Sequence, residues 1–315
     1  MDTSKTIPRQ VPKLASVSLL SRLANNEILV AYLFILPTLI GFLVFYAVPT
    51  VRNVIISFNE WNLFSAPKFV GLNNYQTLIN DPRFWQSMGN TFLYVVWNIP
   101  IQTVLALFIA LMMERVHTSS WLRGIMIFPW LVPNVVVALL WLWLLDPTLG
   151  LVNNVLATIG VARQPFLGSP DQAIPTIALI NIWRHTGYTA IIFFAGLKTI
   201  PKMLYEVAAI DGATIWSQFW HITLPLLRPV LAFVLVTSII GSFQIFDTVA
   251  VTTQGGPAGA TRVIIYYIYD QVFNRGLVMG LATAASVILF LILVTATIIQ
   301  FRFFRANRSE LADYS

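Results

Sequence analysis

The sequence predicts an all-α polytopic membrane protein with six transmembrane helices and both termini on the cytoplasmic side. Three observations carry that expectation. The 315 residues are 57% hydrophobic and only 10% charged, where soluble domains carry about 25% charged residues. The apolar residues gather into six runs, each near the ~20 residues that a helix needs to cross a bilayer core. The Lys and Arg residues collect mainly on one side of those runs.

The runs lie at about 29–51, 88–113, 123–145, 173–197, 228–250 and 277–301, so that 29–304 forms the membrane domain between terminal segments 1–28 and 305–315. None shows the period-two alternation of an outer-membrane barrel. Backbone groups in lipid must bond internally, so these runs are helices. Pro37, Pro49, Pro100, Pro129 and Pro133 sit within or beside them; packed neighbours in a membrane bundle can satisfy the backbone groups they free. With the N-terminus inside, the inside segments hold Lys5, Arg9, Lys13, Arg22, Arg115, Arg123, Lys198, Lys202, Arg228, Arg302, Arg305 and Arg308. The outside segments hold Lys68, Arg83, Arg163, Arg262 and Arg275, with Arg52 near a border. That imbalance sets an N-in, C-in topology and puts the 199–227 loop in the cytoplasm. The segment before the first run has no clear small-residue cleavage site, which points to a retained helix rather than a signal peptide.

Composition also excludes several functions. The sequence pI is about 9.7, yet the basic residues are scattered over short segments and form no nucleic-acid face. The 10 Trp and 22 Phe suit a bilayer as solvent, with membrane lipid as the partner. The absence of Cys removes disulfides, thiolate metal sites and Cys nucleophiles. His117, His185 and His221 have no metal-site spacing, and there is no G-x-S-x-G elbow. Without a Walker A pattern, any ATP-driven step belongs to another polypeptide. No enzyme, cofactor or metal is therefore expected of this chain. An ion-coupled transporter would want internal repeats and intramembrane carboxylates; Asp247 is the one such carboxylate, and no repeat stands out.

The 199–227 loop carries the most specific pattern. Glu206, Ala208 and Gly212 fit E-x-A-x-x-x-G, and, after nine intervening residues, Ile222, Leu224 and Pro225 fit I-x-L-P. Leu204 to Ile210 reads as a short helix with Glu206 early in it, where the helix dipole favours a carboxylate. Small Ala208 and Ala209 allow close approach of a partner, and Gly212, after Asp211, permits a turn. Trp216, Phe219 and Trp220 anchor a second short amphipathic piece. Pro225 and Pro229 suit the restart of a helix.

With Phe69-Val70-Gly71-Leu72-Asn73-Asn74-Tyr75, Phe128-Pro129-Trp130, Gly150-Leu151-Val152-Asn153, Gly196-Leu197-Lys198-Thr199-Ile200-Pro201 and Gly255-Gly256-Pro257, this pattern resembles the permease subunits of carbohydrate-type binding-protein-dependent ABC importers, similar to the maltose and glycerol-3-phosphate systems. The likeness runs from the first span to Phe304. It departs at Val207, where the commonest pattern has Ala. It implies a type I importer permease in a bacterial or archaeal inner membrane, with Glu206, Ala208, Ala209, Asp211, Gly212, Ile222, Leu224 and Pro225 coupling to an ATPase. It implies as partners a second, related permease, two ATPase subunits that hold ATP and Mg, and an external solute-binding protein.

The cargo is read elsewhere. Asn181, Arg184, His185 and Tyr188 have i, i+3, i+4, i+7 spacing, which puts them on one helical face. Ser238, Gly241, Gln244 and Asp247 make a second polar stripe on the next span. A charged residue at bilayer depth marks a functional site by default. Arg184 either faces a translocation path or pairs with Asp247 as a tether between helices. In the family, sugar-contacting positions lie on these two spans; Asn181 and Tyr188 match them in identity, Gln244 falls on a corresponding polar position, and Arg184 and His185 depart. The expected cargo is a sugar or sugar-like solute, with a phosphorylated polyol as the alternative.

Overall fold

The computed structural model describes residues 27–115 and 119–306. Lys5, Arg9, Lys13, Arg22, His117 and Arg308 lie outside the described residues, as does nearly all of the two terminal segments. By its internal contacts the chain divides into two units, after Asn53. The first is built on α1 (Glu27–Phe42), a π-helical turn (Leu43–Ala47) and the start of α2 (Val48–Ser57). Phe34, Phe45 and Tyr46 are among its exposed apolar side chains. A helix that is hydrophobic all round suits lipid as its surroundings.

The second unit opens with the end of α2 and a minimal antiparallel pair, β1 (Asn59–Glu60) and β2 (Lys68–Phe69). Then follow α3 (Asn73–Asn80), α4 (Pro82–Arg115), α5 (Ser120–Leu131), α6 (Asn134–Leu144) and α7 (Leu151–Thr158). After these come α8 (Pro170–Leu197), α9 (Lys202–Ile210), α10 (Ile215–Gln218), α11 (Leu224–Phe243), α12 (Asp247–Thr252), α13 (Ile264–Phe273) and α14 (Met279–Ala306). The 69–75 motif acts here as a knot. Asn74 Nδ2 donates to the carbonyls of Ser57 at 2.9 Å and Asn59 at 3.0 Å, and the Ser57 and Tyr75 hydroxyls lie 2.7 Å apart. Asn153 plays a similar part after α6, exchanging hydrogen bonds with the Gln164 backbone in both directions.

The 28-residue α8 is the central element, packed along α4 and touched by α5 and α11. One apolar cluster joins Ala106, Ala110 and Met113 of α4 to Ala190, Phe193, Phe194 and Leu197 of α8 and to Leu227 and Val234 of α11. At Gly187 the backbones of α8 and α5 meet: a Cβ there would stand 1.7 Å from the Met126 carbonyl oxygen.

Among the described residues, four helical stretches are long and apolar enough to cross a membrane: Val30–Ser57, Pro82–Arg115, Ile215–Thr252 and Met279–Phe304. The run expected as one span over 123–145 is two helices, α5 and α6, bent by 90° and counting as at most a fifth crossing. Its cause is local. Val132 precedes Pro133, and both are extended, with ψ of 133° and 139°; a proline disfavours helical geometry in the residue before it and supplies no N–H. The run expected over 228–250 also breaks, between α11 and α12. α8, expected as the fourth span, has the length, but its polar residues keep it below the same apolar standard.

Two outcomes follow from this packing. Gly187→Ala should cost about 1–3 kcal/mol by overpacking, read as a lower Tm in detergent, while Gly241→Ala, with open space around the added methyl, should be neutral. Asp146 Oδ1 accepts from the Leu149 and Thr148 amides and the Thr148 hydroxyl, and these bonds hold its carboxyl below the usual range. A lowered folded value means that this turn stabilises above the ordinary carboxylate range and weakens as pH falls through the lowered value. Asp146→Asn, which keeps an acceptor but does not titrate, should remove that part of the acid dependence of Tm.

Candidate functional site

A helix broken inside a membrane leaves carbonyls without amide partners, and lipid offers none. At the α5–α6 break the partner is Arg184 of α8. Its Nη2 donates to the carbonyls of Trp130 and Val132, both at 3.1 Å. Its Nη1 lies 3.1 Å from His185 Nε2, and His185 Nδ1 lies 2.9 Å from the Asn181 carbonyl. A guanidinium only donates and a carbonyl only accepts, so the ring carries its proton on Nδ1 and is neutral. His185 is a fixed link between Arg184 and the α8 backbone. Beside it, Tyr188 stacks on Trp130 with centroids 4.5 Å apart and planes 9° from parallel.

The α11–α12 break is held from the same two neighbours. Asn134, at the start of α6, donates to Asp247 Oδ2 at 2.8 Å, so the first residues of the two half-helices are bonded to each other. Asn181 of α8 donates to its own Ile177 carbonyl at 2.9 Å and reaches Thr248 Oγ1 of α12 at 3.4 Å. Arg184 and Asp247 form no ion pair. The contacts that join these helices at the break run instead from Asn134 to Asp247 and from Asn181 to Thr248.

Thus the stripe of Asn181, Arg184, His185 and Tyr188 is brought together as spaced, with each member engaged by protein. The second stripe does not hold together as a face of one helix. Ser238 and Gly241 lie on α11, Gln244 in the break and Asp247 on α12. Gly241 and Gln244 are exposed, while Ser238 and Asp247 are half-buried. Sequence reasoning missed a buried network one turn deeper. Asn98 Nδ2 of α4 donates to Ser242 Oγ of α11 at 3.1 Å and to Gln102 Oε1 at 3.3 Å, and Gln102 Nε2 donates to Thr189 Oγ1 of α8 at 3.0 Å. Asn98 and Gln102, four residues apart within an apolar run, were the available signal. A cavity of about 330 Å³ lies between the ends of α6 and α12, lined by Leu142, Asp146, Pro165, Thr252 and Pro257 among others; none of the expected pathway residues lines it.

The 199–227 segment has its own logic. α9 starts at Lys202 rather than Leu204, so Glu206 sits in the second turn, beyond the reach of most of the dipole. The helix ends through paired bonds, Gly212 N to Ala209 O at 3.1 Å and Ala213 N to Ala208 O at 2.8 Å. That motif needs a left-handed residue, and Gly212 supplies it with φ of 81°. Thr214 then caps α10, its hydroxyl accepting from the Ser217 amide. A π-helical turn, Phe219–Thr223, leads into α11, with Pro225 in its first turn. Tyr205 Oη lies 3.0 Å from Thr223 Oγ1, closing the segment on itself. Met203, Val207 and Ile210 of α9 are exposed, Ile210 by 85%, and Glu206, Asp211 and Gly212 are exposed with them. Ile222, Leu224 and Pro225 are half-buried against the bundle.

Residues 102–308 match the model of the binding-protein-dependent transport system inner membrane component. The chain belongs to that family. This permease is 35% identical over 293 residues to the trehalose/maltose transport system permease protein MalF of Thermococcus litoralis, covering 92% of this chain and 99% of that one. It is 36% identical over 275 residues to the sn-glycerol-3-phosphate transport system permease protein UgpA of Yersinia pestis, covering 86% and 92%. A solved bacterial ABC transporter that imports the acidic polysaccharide alginate contains a chain of the same fold, with a TM-score of 0.75, 27% identity and coverage of 91% and 98%. A second solved structure of a bacterial alginate ABC transporter, in complex with an alginate pentasaccharide-bound periplasmic protein, aligns with a TM-score of 0.73 at 26% identity, covering 90% and 95%. The protein is a permease subunit of a binding-protein-dependent ABC importer, a membrane transport component.

The site geometry sets one expected outcome. Arg184→Met, which keeps bulk but strips the donors, should orphan the Trp130 and Val132 carbonyls at about 1–3 kcal/mol each. The loss should appear as a drop in Tm in detergent even without cargo, and Arg184→Lys, a point charge without the planar fork, should restore only part of it.

Proposed function

We propose that this chain moves a neutral sugar or sugar-like solute across an inner membrane by alternating access, with α8 as the fourth of six spans and both termini in the cytoplasm. An external binding protein delivers the solute, a second, related permease completes the path, and two ATPase subunits that hold ATP and Mg dock on the 199–227 loop. The observation that carries the coupling role is α9 itself. It is a short, rigidly ended helix whose Met203, Val207 and Ile210 face away from the chain beside Glu206 and Asp211, an apolar face with a polar rim of the kind that marks a protein interface.

Neutral cargo is favoured by the state of Arg184. Both of its terminal nitrogens are engaged by protein, leaving Nε alone without a partner, so its fork is not offered to a phosphate or carboxylate. An ion-coupled alternative is weakened likewise, because Asp247 already accepts from Asn134. Gln244, exposed at the α11 break, is the amide open to a sugar hydroxyl, with Asn181 and Tyr188 shaping the wall behind it.

In proteoliposomes holding the complete importer, Glu206→Lys and Gly212→Asp should abolish uptake while the chain still inserts and ATP hydrolysis loses its dependence on the binding protein. Gln244→Ala should raise the KM for uptake by about tenfold, one good hydrogen bond in size, with ATP hydrolysis intact. Normal uptake in both loop variants would overturn the coupling role, and an unchanged KM would remove Gln244 from the path.

A further inference from the structure

A second feature of α8 lies at its far end. Lys198 caps the helix, its amide bonded to the Phe194 carbonyl at 3.1 Å. Its Nζ sits 2.9 and 2.8 Å from the two carboxylate oxygens of Glu114, next to last in α4. The same Nζ stands 5.2 Å from the centre of the Phe194 ring, and the Arg123 guanidinium of α5 stands 4.8 Å from that centre. One buried ring and one ion pair therefore join the ends of α4, α5 and α8 at a single point.

Stability does not account for this arrangement. The Lys198 and Glu114 side chains are 47% and 32% exposed, and pairs as open as this contribute little to folding. A carboxylate at the C-terminal end of a helix also opposes the helix dipole, so Glu114 is placed against the local field and is answered by Lys198. What the pair does fix is position. Between Lys198 and the start of α9 lie only Thr199, Ile200 and Pro201, and they carry no slack. Thr199 Oγ1 donates to the Gly196 carbonyl, the Ile200 amide donates to the Leu197 carbonyl, and Ile200 is buried in the cluster that holds Met113 and Leu197.

We propose that Lys198 and Glu114 are positioning residues for energy transfer: a latch that makes α4 and α5 follow α9 when the ATPases move it. Without the latch, α9 and the end of α8 can shift while α4 stays behind. The proposal rests on the reading of α9 as the coupling helix, and it assigns the step between that helix and the rest of the bundle.

The chain has no native Cys, so spin labels can be placed at Lys202→Cys on α9 and Met112→Cys on α4 in the reconstituted importer with its ATPase subunits. On addition of MgATP and vanadate, the label distance should stay fixed in the otherwise native chain and in Lys198→Arg, which keeps the cation. It should change in Lys198→Met and in Glu114→Gln, where stimulation of ATP hydrolysis by the binding protein should also fall about tenfold, an ordinary size for a coupling free energy. A distance that stays fixed in both neutral variants overturns the latch. So does a change in Lys198→Arg equal to that in Lys198→Met. Failure of the underlying reading is seen separately, as Gly212→Asp chains whose ATP hydrolysis remains under binding-protein control.

Discussion

The structure depends on one constraint: a backbone broken inside lipid must find its hydrogen-bond partners in the protein. The break at Val132-Pro133 frees two carbonyls, and Arg184 is the donor that meets them. Once Arg184 is committed there, His185 must be neutral beneath it and Trp130 must lie beside Tyr188. The second break, at Gln244 to Phe246, is held through Asn134 and Asn181 from the same neighbourhood. α8 is therefore the frame against which two broken helices are set.

That reverses the usual weighting of polar residues at membrane depth. A charge in a span is a functional mark by default, yet here the most conspicuous charge is spent on architecture. The groups left open are less conspicuous: Gln244 and the edge of α11 at Gly241. The shape of this region is thus set by the satisfied network, and the polar groups that stay exposed are the ones the network leaves over.

Much of this was legible in the sequence. Hydropathy located four of the six expected runs as, or within, helices long and apolar enough to cross a membrane, because lipid length is a strong filter, and the E-x-A-x-x-x-G spacing located α9 and its glycine turn because a left-handed residue is nearly obligatory there. Helical spacing put Asn181, Arg184, His185 and Tyr188 on one helix, and all four lie on α8. The partners of those residues were not legible. Arg184 to Trp130 is a contact across 54 positions, and no local pattern encodes it. Pro133 sits at the first break, although a proline alone is compatible with one unbroken span in a packed bundle; Gln244-Ile245-Phe246 contains neither proline nor glycine, so the second break is set by tertiary contacts that periodicity cannot see. The Asn98–Gln102 network was hidden for a similar reason: two amides in an apolar run gain their meaning from Ser242 and Thr189, on other helices.

The contact between Tyr205 and Thr223 has a mechanical side. With it, residues 205–223 form a closed loop of chain, joined on one side through 198–204 to α8 and on the other to α11. A push on Val207 or Ile210 is then shared by both feet at once, as a torque on a stirrup rather than a tug on a string. Both feet stand on helices that border the breaks, α8 and α11, so a load on α9 is divided between them.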